Sequence, residues 1–255
     1  MNGLFDLGGR VAIVTGGNGG IGLGMAQGLA RAGAALLIAG RNAGKNAAAV
    51  AALHELGAKA AAVEADVTGP GACQALVAAA LDQFGRVDIL VNNAGTNIRK
   101  QPQDYTPEEW KSVLDTNLTS AFLCSQAAYF AMLKAGGGKI INIGSMMSIF
   151  GAAFAGPYGA SKGGMVQLTK SLACAWAKNN IQVNAVLPGW IDTELTQAAR
   201  REVAGLNQNV LARTPAGRWG KPADFAGIAV FLASSASDFI SGAAIAVDGG
   251  FSSQG

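Results

Sequence analysis

Arg10-Val-Ala-Ile-Val-Thr15 runs without a break into Gly16-Gly-Asn-Gly-Gly-Ile-Gly22, and Leu23 to Ala32 continues as a helical stretch. An apolar run, a glycine-rich turn and a helix in direct succession form the β-turn-α unit that admits a dinucleotide. The glycines allow the tight turn and the close approach of backbone N–H groups to a pyrophosphate, at a helix N-terminus that favours anions. Gly16, Asn18, Gly19, Gly20, Ile21 and Gly22 are therefore candidate cofactor contacts. Six further β-rich runs follow, with helical stretches between them: Ala35 to Ala39, Ala60 to Ala65, Val87 to Asn92, Lys139 to Ile143, Ile181 to Leu187 and Ala243 to Val247. Their near-continuous apolar character, as in Ile140-Ile-Asn-Ile143, predicts strands covered on both faces and joined by βαβ crossovers. The expected fold is α/β, a Rossmann-type, doubly wound, seven-stranded parallel sheet with helices on both faces, in which ligands bind beyond the carboxyl ends of the strands.

The bulk properties narrow the function. At 255 residues one domain spanning 1–255 is expected, and the least regular segment, about 189–221, reads as a substrate lid or as a plain surface helix. Only 14% of residues are charged and the net charge is +3, with no basic stripe interleaved with aromatics, so nucleic acid is not an expected partner. Cys73, Cys124 and Cys174 are far apart and form no Cys-x-x-Cys, which points to three inert or buried thiols rather than a disulfide framework or a zinc site. His54, the only histidine, lies in a helical run and reads as a surface residue, so no metal is expected. No basic, apolar leader and no membrane-length apolar run is visible, and a cytoplasmic protein is expected.

Cofactor choice is read after the second strand, where an acid would bind an adenosine ribose and an arginine a 2′-phosphate. The chain has Gly40-Arg41-Asn42 there. Arg41 and Asn42 are candidate cofactor contacts, and NADP is favoured over NAD, although a solvated Arg41 at a helix start is the plain alternative. The chemistry is read after the fifth strand. Ser145 follows that strand, and Tyr158-Gly-Ala-Ser-Lys162 places a tyrosine and a lysine four residues apart, on one face if the segment is helical. A nearby ammonium favours a phenolate and lowers a tyrosine pKa, which makes Tyr158 usable for proton transfer, while Ser145 can hold a substrate oxygen beside it.

Taken together these motifs resemble the short-chain dehydrogenase/reductase family, in its compact single-domain branch, over essentially the whole chain. The resemblance implies hydride transfer between a nicotinamide and a secondary alcohol or ketone, with Asn117, Ser145, Tyr158 and Lys162 as a catalytic tetrad. It further implies that Asp66 and Val67 contact the adenine and that Asn93, Ala94 and Gly95 close the fourth strand beside the cofactor. Asn117 would hold a water in a proton relay, Lys162 would bind the nicotinamide ribose, and Pro188, Gly189, Ile191 and Thr193 would shape the nicotinamide site. The plainer readings are structural: Asp66 and Thr193 as helix caps, Asn117 as a partner for buried backbone groups.

Asn92 to Arg99, Ser145 to Met147 and Thr214 to Gly220 look like the sugar-acid branch of the family, the dehydrogenases of gluconate and deoxygluconate type. Arg99 would then meet a carboxylate, with a solvated surface Arg99 as the plain alternative. Met147, Phe154 and Trp190 are candidate pocket residues, and Phe150, Phe154 and Trp190 together would make a more apolar pocket, suited to a ketone or keto ester, so a general carbonyl reductase or a 3-oxoacyl-thioester reductase competes. A non-catalytic dinucleotide-binding redox sensor is the reading from another class, and the intact tetrad argues against it. The C-terminal run Ala243 to Phe251 resembles the family's interface tail, which implies a homotetramer.

Overall fold

A computed structural model describes residues 3–69 and 71–254. Seven strands form one all-parallel sheet: β1 (Val11–Thr15), β2 (Ala35–Gly40), β3 (Ala60–Glu64), β4 (Ile89–Asn92), β5 (Gly138–Ile143), β6 (Ile181–Pro188) and β7 (Ala244–Val247), in the order β3-β2-β1-β4-β5-β6-β7. Side chains alternate across each strand. Ala12 and Val14, Leu36 and Ile38, and Ile89 and Val91 enter one core, while Ile13, Leu37 and Leu90 enter the other. Both faces are buried, so a polar residue on either face would face apolar side chains, and the strands read as unbroken apolar runs.

The first core is closed by α1 (Gly20–Arg31) and α9 (Ala226–Ala233), which contribute Met25, Leu29 and Leu232. The second is closed by α3 (Ala72–Phe84), α5 (Ser120–Lys134) and α6 (Gly156–Trp176), through Leu76, Ala128 and Leu172. The remaining helices are α2 (Ala43–His54), α4 (Pro107–Leu114), α7 (Glu194–Glu202) and α8 (Leu206–Arg213). Thr106 caps α4 in a reciprocal box with Glu109, with Pro107 in the first turn. A π-helical turn, Asp115–Thr119, joins α4 to α5. The strand order reverses between β1 and β4, and Thr15 is paired with both Ala39 and Asn92 there, so the crevice for a ligand opens at these carboxyl ends.

His54 is exposed, with its Nε2 3.0 Å from the Ala60 carbonyl. Cys73 and Cys124 are buried free thiols, whereas Cys174 is a free thiol exposed on α6. Among the described residues no helix is long and apolar enough to cross a membrane, and no cluster of His, Cys, Asp and Glu could hold a metal ion.

Candidate active site

A cleft of about 450 Å³ lies across the carboxyl ends of β1, β2, β4, β5 and β6. Its floor is the β1–α1 turn, where Gly16, Asn18, Gly19, Gly20 and Ile21 all face the cleft. Gly16 has φ +60, in the left-handed region, and a Cβ there would come within 3.1 Å of the Ala94 backbone, so only glycine fits. The turn is clamped to β4: Thr15 Oγ1 accepts from the Asn93 and Ala94 N–H groups at 3.0 and 3.1 Å, and Asn93 Nδ2 donates to the Thr15 and Gly16 carbonyls at 3.0 Å. Asn93, Ala94 and Gly95 consequently form a wall of the cleft. Gly22 lies behind the turn, where a Cβ would collide with Asn93 Nδ2 and the Gly16 carbonyl; it sets packing and does not line the cleft.

At the adenosine end, Arg41, Asp66 and Val67 line the cleft, whereas Asn42 does not: its Oδ1 caps α2 by accepting from the Lys45 N–H at 2.9 Å. Asp66 accepts from the N–H and Oγ1 of Thr68, and these bonds, more than Arg41, hold its carboxyl below the usual range. A side chain at Gly40 would have to displace the Asn18 amide, which lies against it and donates at 2.7 Å to Asn46 Oδ1. Asn46 in turn donates to the Gly40 carbonyl at 2.8 Å. The sequence reading missed Lys45, a second basic residue at this end. It faces the cleft one helical turn after Arg41 and pairs at 2.6 Å with Glu194 of α7, which also lines the cleft.

At the other end, β5 delivers Ser145 and α6 delivers Tyr158 and Lys162. Pro157 opens α6, so Tyr158 sits in the first turn and Lys162 directly one turn on. Lys162 is buried, donates to the Ile143 carbonyl at 2.6 Å, and places its ammonium 5.7 Å from the Tyr158 ring centroid. Burial pushes Lys162 down to about 8. Burial likewise pushes the Tyr158 phenol up, against smaller downward effects of the Ser145 hydroxyl and the Arg99 guanidinium. The phenol therefore stands above its ordinary value here, a correction to the expected lowering by Lys162: loss of solvation outweighs the Ser145 and Arg99 effects, and the Lys162 ammonium is not among the groups that act on it. Asn117 sits in the π-helical turn, fully buried behind the cleft. Its Oδ1 accepts from the Thr96 N–H at 2.7 Å, and its Nδ2 donates to the Thr96 carbonyl and to Ser161 Oγ at 3.0 Å.

Pro188 ends β6, Gly189, Ile191 and Thr193 continue along the same cleft, and Thr193 stands at the N-terminus of α7. A smaller chamber of about 90 Å³ opens beside Tyr158 and Ser145, walled by Arg99, Met147, Phe154 and Trp190. Phe150 is not in this wall; it packs edge-on against Phe251 and beneath the Arg213 guanidinium. Leu195 and Thr196 of α7 line both cleft and chamber, two contacts that the sequence reading missed. Arg99, its side chain only 13% exposed, is paired with Glu202 at the far end of α7 at 2.9 Å and donates to the Leu195 carbonyl. Asn97 also lines the chamber, and its Oδ1 is buried without a hydrogen-bond partner.

The sequence family described as enoyl-(acyl carrier protein) reductase matches residues 16–252. The 2-dehydro-3-deoxy-D-gluconate 5-dehydrogenase of Dickeya dadantii is 44% identical over 248 residues, which is 97% of each chain. The chain belongs to the short-chain dehydrogenase/reductase family. Within it, the 5-keto-D-gluconate 5-reductase of Escherichia coli is 41% identical over 250 residues, 98% of each chain. The structure of a gluconate 5-dehydrogenase from Burkholderia cenocepacia in complex with NADP and tartrate superposes with a TM-score of 0.92 at 39% identity, covering 100% of this chain and 99% of that one. As a short-chain dehydrogenase/reductase the protein is an NAD(P)-dependent oxidoreductase that interconverts a ketone and a secondary alcohol.

Proposed function

We propose that the protein is an NADP(H)-preferring dehydrogenase of gluconate-type sugar acids, acting on a single ketone or secondary alcohol of a short polyhydroxy carboxylate. The carrying observation is Arg99, a little-exposed guanidinium in the wall of the chamber beside Tyr158, oriented by a carboxylate and a carbonyl of α7. A substrate carboxylate can take the place of Glu202 on its planar fork. Asn97 Oδ1 supports the same reading, since an unpaired buried acceptor is costly and a sugar hydroxyl satisfies it. The relatives named for keto-gluconates and dehydro-deoxygluconates agree in substrate class.

The cofactor fits the cleft: the glycines of the β1–α1 turn line it without side chains that would hold a pyrophosphate away, Gly40 presents no acid that would favour NAD, and Arg41 and Lys45 flank the position of a 2′-phosphate. The nicotinamide supplies or accepts the hydride. Ser145 donates to the substrate oxygen and holds it against Tyr158, whose phenol gives that oxygen a proton in reduction and takes it back in oxidation. Lys162 sets the charge behind the phenol and binds the nicotinamide ribose, and Asn117 anchors the π-helical turn and holds a water of the proton path. Asp66 and Val67 border the adenine; Asn93, Ala94, Gly95, Pro188, Gly189, Ile191 and Thr193 enclose the nicotinamide half. We further assign residues 1–255 to one domain with 189–221 as a lid, working in the cytoplasm as a homotetramer.

Met147, Phe154 and Trp190 in the same chamber favour the second reading, a carbonyl reductase of apolar ketones. Loss of absorbance at the reduced-nicotinamide band, with NADPH or NADH and a panel of keto-gluconates, keto esters and simple ketones, separates the two. Activity confined to keto-gluconates, with KM rising at least tenfold in Arg99→Gln, is expected. Equal turnover of simple ketones, unaffected by Arg99→Gln, would overturn the sugar-acid reading, and no turnover of any carbonyl would leave a dinucleotide sensor.

A further inference from the structure

Cys73, in the first turn of α3, and Cys124, in the second turn of α5, point at each other across the interface of the two helices. Their sulfurs are 2.9 Å apart, closer than two sulfurs in van der Waals contact, and both residues are about 2% exposed. A disulfide bond is about 2.0 Å long, so about 0.9 Å of approach separates this pair from a covalent bridge. We propose that Cys73 and Cys124 are a dithiol that hydroperoxides oxidise to a disulfide clamping α3 to α5.

The roles within the pair are unequal. Cys73 stands at a helix N-terminus, where the helix dipole favours a thiolate, and it receives the Cys124 S–H. That hydrogen bond pushes Cys73 down and, together with burial, pushes Cys124 up. Cys73 is thus the sulfur that reacts first. Its Sγ lies 3.6 Å from the carbonyl of Val67, a residue of the dinucleotide cleft, which makes the cleft side the shortest approach for a small peroxide in this proposal. In the first step the Cys73 thiolate attacks a peroxide oxygen, the O–O bond breaks, Cys73 becomes a sulfenic acid and hydroxide leaves. In the second the Cys124 sulfur attacks the Cys73 sulfur, the S–S bond forms, the S–O bond breaks and the Cys124 proton leaves with the hydroxyl as water. Two thiols lose two electrons, and one hydrogen peroxide gains them and ends as two waters. No Cys-x-x-Cys spacing announces the pair; 51 positions separate the two residues and only the packing of α3 on α5 joins them.

Cys174, exposed on α6, is an internal gauge of the oxidant. The full-length protein and its Cys174→Ser variant are treated with hydrogen peroxide at concentrations that fully oxidise Cys174 in the wild type, alkylated in denaturant and mapped by mass spectrometry. A dithiothreitol-sensitive cross-linked peptide containing Cys73 and Cys124, with two alkylatable thiols lost per chain in the variant, is expected. Recovery of Cys73 and Cys124 as separate alkylated peptides, or Cys73 trapped as sulfinic acid without the bridge, overturns the proposal.

Discussion

At the scale of single residues, the site is governed by burial. Burial penalises a Tyr158 phenolate more than Ser145 and Arg99 favour it, which moves the phenol further above its ordinary value. A protonated phenol beside the substrate oxygen is the form that reduction needs. Tyr158→Phe removes that proton and little else, so turnover is expected to fall by roughly 10² to 10⁴ while the dissociation constant for NADPH, read by fluorescence, stays within twofold. Unchanged turnover would remove Tyr158 from the chemistry. Lys162 tells the same story from the cationic side. Burial holds it at about 8, below the ordinary 10.5. Between those values the unfolded chain carries a proton that the folded chain has released, so stability rises with pH through that window. Relative to Lys162→Met, the wild type should gain on the order of 3 kcal/mol between pH 8 and 10.5, measured by urea unfolding. Parallel curves for the two proteins would mean that Lys162 titrates as an exposed lysine.

At the scale of elements, α7 is the piece that touches everything. Its first turn holds Lys45 through Glu194, its last turn holds Arg99 through Glu202, and Leu195 and Thr196 lie between the cofactor cleft and the substrate chamber. Both ion pairs present to the helix the groups assigned to ligand phosphate and carboxylate. The Lys45 to Glu194 pair is largely exposed, so breaking it should cost under about 1 kcal/mol of stability. Its effect should appear in cofactor choice instead. Lys45→Ala is expected to weaken NADPH roughly tenfold with little change for NADH, and Glu194→Gln, which frees Lys45, to strengthen NADPH. Equal effects on both cofactors would show that Lys45 does not read the 2′-phosphate. The strands and the glycine turn were legible in the sequence because two-faced burial and the Thr15 to Gly22 run each leave a contiguous trace. Lys45 was not, because it reaches the cleft only through the pitch of α2. The upward shift of Tyr158 was hidden too, since it depends on walls drawn from distant segments. The π-helical turn at Asp115–Thr119 that buries Asn117 has no sequence signature of its own.

At the scale of the whole molecule, the sheet and its two cores leave an apolar stripe exposed on α5. Phe122, Phe130 and Leu133 recur at i, i+8 and i+11 along α5, a single stripe, and Phe130 is 67% exposed. Beside them a groove of about 420 Å³ between α3 and α5 is lined by Val77, Leu81, Tyr129 and Trp176. A two-fold contact between identical chains needs one surface that carries both a ridge and a groove, and this surface has an apolar one of each. With a net charge of only +3, repulsion between copies is weak. The cleft and chamber open at the strand ends, away from this stripe, so pairing through α5 leaves them accessible. Phe130→Asp places a charge in the middle of this stripe and touches neither cleft nor chamber. Light scattering coupled to gel filtration should then show the wild type at a multiple of the chain mass and the variant shifted to smaller species, with the far-ultraviolet circular dichroism of both alike. A wild type that elutes as a single chain at micromolar concentration would leave the α5 face without a partner and remove the homotetramer from the reading.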